Sequence, residues 1–221
     1  MERPHPCGRF ARILRAHLVM TQKPTHSLEP RLGWHSRGYL PHFDGGELAQ
    51  FLTFRLHDAL PQSVLIRWRE ELKLARPGEA EAIMRRRVEA YLDQGHGSCY
   101  LKDPNVAGMV QDALLFHDQK KYRLAAWVVM PNHVHLLCTP CVGQTLPRIM
   151  HSLKSFTSNE ANKVLGRAGR FWQKEYFDRY IRNARHFVKV VAYIENNPVK
   201  ARLCEKPEDW PFSSAWFRKK Q

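Results

Sequence analysis

The stretch Trp127-Val-Val-Met-Pro-Asn-His-Val-His-Leu-Leu137 decides how this chain is read. It sets two imidazoles, His133 and His135, two residues apart inside an apolar run. Alternate side chains of a strand point to one face, so both rings project together. Two same-facing imidazoles on a rigid element make half of a divalent-metal site. On spacing alone, such a pair is more often a coincidence or a satisfied polar pair than a pair of ligands.

Outward from this stretch, strands and helices alternate. Gly46 to Leu56 reads as a strand, and Tyr122 to Met130 as another. After Pro131-Asn132 the strand resumes through Thr139, and Pro131 is expected to mark an edge or a bulge because proline cannot donate to a ladder. Residues 62–93 are helical in pattern and are split by Pro77-Gly78. Asp103-Pro104 opens a helix through Phe116. Leu146 to Val164 is a helix carrying Ile149, Met150, Leu153 and Phe156. Arg170 to Ile181, dense in aromatics, is expected to be extended. Asn183 caps a final helix running to about Asn196. Short loops favour antiparallel pairing, so the fold class is α+β: helices packed on one sheet, in a single domain from residue 33 to 221. Residues 1–32 read as an irregular basic arm, with Met20 as an alternative start.

The final helix carries the second half of the site. Phe187, Val190, Val191 and Ile194 recur at helical spacing and form its buried stripe. Tyr193 and Asn197 fall about 40° apart on one edge of that stripe, with His186 two turns earlier. Asn197 precedes Pro198 and is expected to end the helix. The bland alternative is a half-buried tyrosine and a capping amide. Beside a metal, tyrosine is a sensible nucleophile toward phosphorus, because the cation offsets charge on the phosphoryl oxygens and the phenol leaves a reversible covalent ester.

Charge narrows the partner. The chain of 221 residues has 35 Lys and Arg against 21 Asp and Glu, a net of +14. Residues 161–221 hold 14 basic and 6 acidic residues, a net of +8, whereas residues 41–100 hold 8 and 9, a net of −1. Clustered positive charge points to a polyanion, most often nucleic acid. Arg167, Arg170, Lys174, Arg179, Arg182, Arg185 and Lys189 lead into the tyrosine helix, interleaved with Phe171, Trp172, Tyr176 and Tyr180. Such a stretch can track phosphates and stack unpaired bases, although Phe171 and Trp172 also suit a core. Five cysteines without regular spacing are no disulfide framework, and the lone Cys138-Thr-Pro-Cys141 reads as a strand end and turn rather than a zinc site. With no membrane-length apolar run, a cytoplasmic, nucleoid-associated protein is expected.

The ordered motifs resemble a known family. Met130-Pro-Asn-His-Val-His-Leu136 resembles the His-hydrophobe-His motif of the HUH single-strand nucleases. Tyr193-Ile-Glu-Asn-Asn-Pro-Val-Lys-Ala201 resembles the single-tyrosine motif of the REP-associated tyrosine transposases, relatives of the small insertion-sequence transposases. Arg37 to Phe43, Leu153 to Thr157, Trp172 to Asp178 and Asp209 to Ser214 also match, in order, across about residues 33–217. The resemblance implies a ferredoxin-like core with the histidine pair on a central strand. It implies Tyr193 as nucleophile and Mg²⁺ or Mn²⁺ held by His133, His135 and, from the tyrosine helix, Asn197, with Glu195 and Asn196 as alternatives. The implied substrate is single-stranded DNA with an imperfect hairpin and a small flanking tetranucleotide, cleaved to a 5′-phosphotyrosine and a free 3′ hydroxyl. The helical segment 62–93 departs from the shortest members and reads as an insertion. A monomer or homodimer is compatible with the family. Competing readings are a non-catalytic DNA or RNA binder that kept the fold, and a metal-dependent hydrolase without a covalent intermediate.

Overall fold

The computed structural model describes residues 33–36 and 41–220. The N-terminal arm, the Met20 start and part of the Arg37 to Phe43 motif therefore lie outside the described residues. A small hairpin pairs β1 (Gly33–Ser36) with β2 (Pro41–Asp44). The main sheet is antiparallel and four-stranded. It contains β3 (Gln50–Arg55), β4 (Tyr122–Val129), β5 (His133–Pro140) and β6 (Phe177–Tyr180), in the order β4-β5-β3-β6.

Helices α1 (Gln62–Glu71) and α2 (Pro77–Asp93) follow β3. Helix α3 (Pro104–His117) precedes β4, and α4 (Leu146–Val164) joins β5 to β6. With α1 and α2 set aside, β3-α3-β4-β5-α4-β6 is a β-α-β-β-α-β unit with its two long helices as crossovers, the ferredoxin-like order. Helix α3 starts where the sequence marks it. Asp103 caps it by accepting from the amides of Asn105 (2.8 Å) and Val106 (3.3 Å).

Each sheet face buries a separate core. Leu52, Phe54, Val134 and Leu136 pack with α3 and α4 through Val110, Leu114, Ile149 and Leu153. Phe51, Val128 and Leu137 line the other face with Phe187, Val191 and Ile194 of α5 (Ala184–Glu195). Each of those helix side chains contributes about 1.5–3 kcal/mol of burial. Because β5 is covered on both faces, all its residues are buried and its sequence reads as a continuous run. A register shift between Leu124 and Ala126 re-phases β4, which lets Leu124 and Trp127 share one core.

Three expectations are corrected, and one residue of α4 is placed. Pro131-Asn132 is neither edge nor bulge but the turn of a hairpin: β4 and β5 pair side by side, and the Met130 amide donates to His133 O (2.9 Å). The first strand begins at Gln50 rather than Gly46, since residues 46–49 turn. Of residues 170–181 only Phe177–Tyr180 is strand. Phe156 is 51% exposed, one helical step off the buried stripe of α4.

A short helix α6 (Asn197–Lys200) and a C-terminal helix α7 (Ser214–Lys219) complete the chain. The Asp209 to Ser214 motif closes the free edge of β4. The Val129 amide donates to Phe212 O (2.9 Å), and Trp210 Nε1 donates to Val129 O (2.9 Å). No described helix is long and apolar enough to cross a membrane.

Candidate functional site

The histidine pair sits at the start of β5, the second strand in from the β4 edge, on the face covered by α5. His133 is fully buried and His135 nearly so. Their Nε2 atoms lie 3.2 Å apart, so the two rings converge on one point. The outer nitrogens explain why. Asn132 Nδ2 donates to the carbonyls of Leu92 (3.1 Å) and His96 (2.9 Å). That leaves Asn132 Oδ1 facing His133 Nδ1 at 2.7 Å. An amide oxygen only accepts, so the His133 proton sits on Nδ1 and Nε2 presents its lone pair. His135 Nδ1 lies 2.7 Å from Thr53 Oγ1, its direct cross-strand partner on β3.

Burial lowers the His133 pKa to about 3, helped by the nearby charges of Arg55 and Lys200. Burial, then His133 and Lys200, lowers His135 in the same direction. Both rings are thus neutral, as a metal ligand must be. Two nitrogens about 2.1 Å from one cation sit about 3.0–3.4 Å apart for angles between octahedral and tetrahedral. The observed spacing fits.

Tyr193 stands beside the pair. Its ring centroid is 5.5 Å from that of His135 and 5.8 Å from that of Phe51. The hydroxyl is buried and closes no well-formed hydrogen bond. Burial, followed by the Glu89 and Asp93 carboxylates, holds the phenol protonated. Both acids come from α2, the segment read as an insertion. Lys200 on α6 ties this helix to the tyrosine region through a 2.7 Å ion pair with Asp93.

The three ligand alternatives after Tyr193 separate cleanly. The Glu195 carboxylate accepts from Ser214 Oγ (2.5 Å) and Arg218 (2.6 Å), which docks α7 onto the tyrosine helix. Asn196 is exposed and returns its Nδ2 to Ala192 O (2.8 Å). Asn197 is 1% exposed, and neither of its side-chain polar atoms has a partner. Leaving such an amide unpaired costs about 1–3 kcal/mol. A cation at Oδ1 would relieve part of that cost. His186 takes no part: its Nδ1 accepts from the Arg182 amide (3.2 Å).

Among the described residues no three His, Cys, Asp or Glu side chains gather to hold a metal. A metal held here would draw on the two converging imidazoles, with the unpartnered Asn197 amide as a candidate third donor. Cys138 and Cys141 are both free, and burial raises the Cys138 thiol pKa.

The basic stretch divides into two surfaces. Arg170 and Lys174 line a groove against α4, and the Arg167 guanidinium lies 4.7 Å from the Tyr100 ring centre. Arg179 instead lies near Arg85 of α2 and Arg182, and burial together with those two charges lowers its pKa. Arg182, Arg185 and Lys189 are exposed near the start of α5. Phe171 and Trp172 are core residues, 1% and 4% exposed.

Sequence reasoning did not find Thr53, Asn132, Arg55, Glu89, Asp93 or Lys200. Asn132 alone left a trace, because it adjoins His133 inside the quoted motif. Replacing Asn132 with Ala should remove the acceptor that holds the His133 proton on Nδ1. We expect about 10- to 100-fold weaker Mn²⁺ binding by titration calorimetry. Parental affinity would show that Asn132 does not set the tautomer.

Residues 113–197 match the family model described as "Transposase IS200 like". That span runs from the end of α3 through the histidine pair to Asn197. This segment of the chain is similar to the IS200-like transposases. The "REP-associated tyrosine transposase" of Escherichia coli (strain K12) is 32% identical over 97 residues, which are 43% of this chain and 55% of that protein. A second curated relative, from Haemophilus influenzae (strain ATCC 51907 / DSM 11121 / KW20 / Rd), is 28% identical over 109 residues, covering 42% and 58%. The chain thus spans little more than half the length of the curated relatives it matches. A solved structure described as a REP-associated tyrosine transposase bound to a REP hairpin covers 80% of this chain and 82% of its own, at 18% identity and a TM-score of 0.48.

Proposed function

We propose that this protein is a metal-dependent single-strand DNA nickase and strand transferase that acts through Tyr193 on hairpin-forming DNA. The observation that carries the reading is the convergence, within one chain, of two neutral Nε2 atoms 3.2 Å apart and a tyrosine ring 5.5 Å from one of them. His133, His135 and Asn197 Oδ1 would hold a Mg²⁺ or Mn²⁺ ion. When bound, that ion would offset negative charge on the non-bridging phosphoryl oxygens.

The protein's own residues do the rest. Tyr193 Oη attacks phosphorus and forms an O–P bond, while the bond from phosphorus to the 3′ oxygen breaks. The phenolic proton leaves toward the Glu89 carboxylate, the acid that bears most on the hydroxyl. Burial raises the Glu89 pKa, which suits it to accept a proton and return it. The 3′ oxygen departs, takes up a proton and is released as a hydroxyl. Attack by a later 3′ hydroxyl on the phosphotyrosine reverses the step and joins strands.

With helix α5 packed on the sheet of its own chain, a monomer would carry both halves of the site. Arg179, Arg182, Arg185 and Lys189 would hold the phosphates that approach Tyr193. Replacing Arg182 and Arg185 with Ala should weaken hairpin binding and lower the slope of log affinity against log salt by about 1–2. Identical slopes for parent and variant would show that this end of α5 does not touch the DNA.

The reading is tested by incubating the protein with Mn²⁺ and single-stranded hairpin oligonucleotides from the flanks of its own coding region. We expect a covalent protein–DNA adduct on denaturing gels. Cleavage without an adduct would favour a metal-dependent hydrolase. Tight binding without cleavage would favour a DNA binder that retains the fold.

A further inference from the structure

A groove of about 700 Å³ runs between α4 and residues 170–176, on the sheet face opposite the one that carries Tyr193. Its floor is apolar, built from Met150, Phe171 and Trp172. Its rim is positive: Arg170, Lys174 and Lys154 line it with a single acid, Glu175. The half-buried Tyr176 ring forms part of one wall.

The groove is held open by built contacts. Lys154 Nζ donates to the carbonyls of Gln173 (2.5 Å) and Lys174 (2.8 Å), bracing the wall against α4. Trp172 Nε1 donates to Thr157 Oγ1 (2.9 Å), fixing the floor. The Leu153 to Thr157 and Trp172 to Asp178 motifs thus meet here rather than at the histidine pair.

The groove wall is tied by backbone pairing to the strand that faces the histidine pair. Trp172 pairs with Leu56, and the Gln173 amide donates to Arg55 O (2.9 Å). Arg55 in turn lies directly opposite His133 in the β3–β5 register. Its charge acts on both His133 and Lys154. Arg55 therefore links the two features through the β-ladder: its carbonyl holds the groove wall at Gln173 and its position faces His133.

We propose that this groove binds one or two unpaired nucleotides of the strand being cleaved, a reading that rests on the proposed nickase function. Its volume suits a ligand of that size. The cationic rim matches phosphates, and apolar and aromatic walls accept a base face whatever the base. The basic residues 1–32, with six Lys or Arg against two Glu, have the wrong charge to fill it.

The test compares one hairpin oligonucleotide with and without a short single-stranded flank, measured by fluorescence anisotropy on the full chain. For the parent we expect at least about a fivefold gain in affinity from the flank, one base stack's worth. Arg170→Ala with Lys174→Ala, and separately Tyr176→Leu, should bring the ratio of the two affinities toward one. A 5-iodouracil in the flank should crosslink to peptides from residues 150–176. A parent with no flank gain, variants that keep the full gain, or crosslinks only outside those peptides would each overturn the proposal. Failure of the nickase reading looks different: the covalent adduct would be missing while the flank ratio still reported on the groove.

Discussion

Tyr193→Phe abolishes the covalent adduct and lowers strand cleavage by about four orders of magnitude or more, the scale on which loss of a nucleophile acts. Folding survives. The hydroxyl is buried without a well-formed hydrogen bond, so its removal costs at most a weak contact with Glu89. The ring still packs against Phe51 and His135. The thermal midpoint of the variant should stay close to the parent's, and hairpin affinity should stay within about twofold, since one hydroxyl contributes little to a surface dominated by phosphate contacts. Gel analysis of the adduct with melting and anisotropy on the same preparations checks all three. Cleavage at the parental rate would remove Tyr193 from the chemistry.

The second large effect is on stability in acid. In the folded protein burial lowers the His133 pKa to about 3, against 6.5 for a free imidazole side chain. Between those values the unfolded chain binds a proton that the folded chain refuses. Stability is therefore complete above about pH 6.5 and falls as pH drops toward 3. By pH 5 the loss from this group is about 2 kcal/mol. His135 is lowered by the same cause and adds to the loss with the same sign. Urea titrations in EDTA at pH 7 and pH 5 measure it. A His133→Gln, His135→Gln variant should be less stable at pH 7 but should lose less on acidification. An equal loss in parent and variant would place the acid sensitivity elsewhere.

Several features of this chain are set by local chemistry and are visible in its order of residues. The boundaries of α4 and the Asn183 cap follow from apolar periodicity and a side-chain oxygen facing a free amide; Asn183 Oδ1 accepts from His186 N at 2.9 Å. The shared direction of His133 and His135 follows from the two-residue period of a strand. The placement of Phe187, Val191 and Ile194 toward the sheet follows from the helical period.

What the order of residues could not decide depends on contacts between distant segments. Pro131-Asn132 looks like an interruption of one strand, and only the pairing of Val129 with Val134 makes it a hairpin turn. Phe156 has helical phase close to the buried stripe, yet it is 51% exposed. Glu195, Asn196 and Asn197 are equivalent as a string. Ser214 and Arg218, arriving from the C-terminal end, take Glu195 away from the candidate site and leave Asn197 buried without a partner. The His133 tautomer depends on Leu92 and His96 orienting Asn132, and Glu89 reaches Tyr193 from about a hundred residues upstream. Local periodicity sets which way a side chain points along its own element; only long-range packing sets what it meets there.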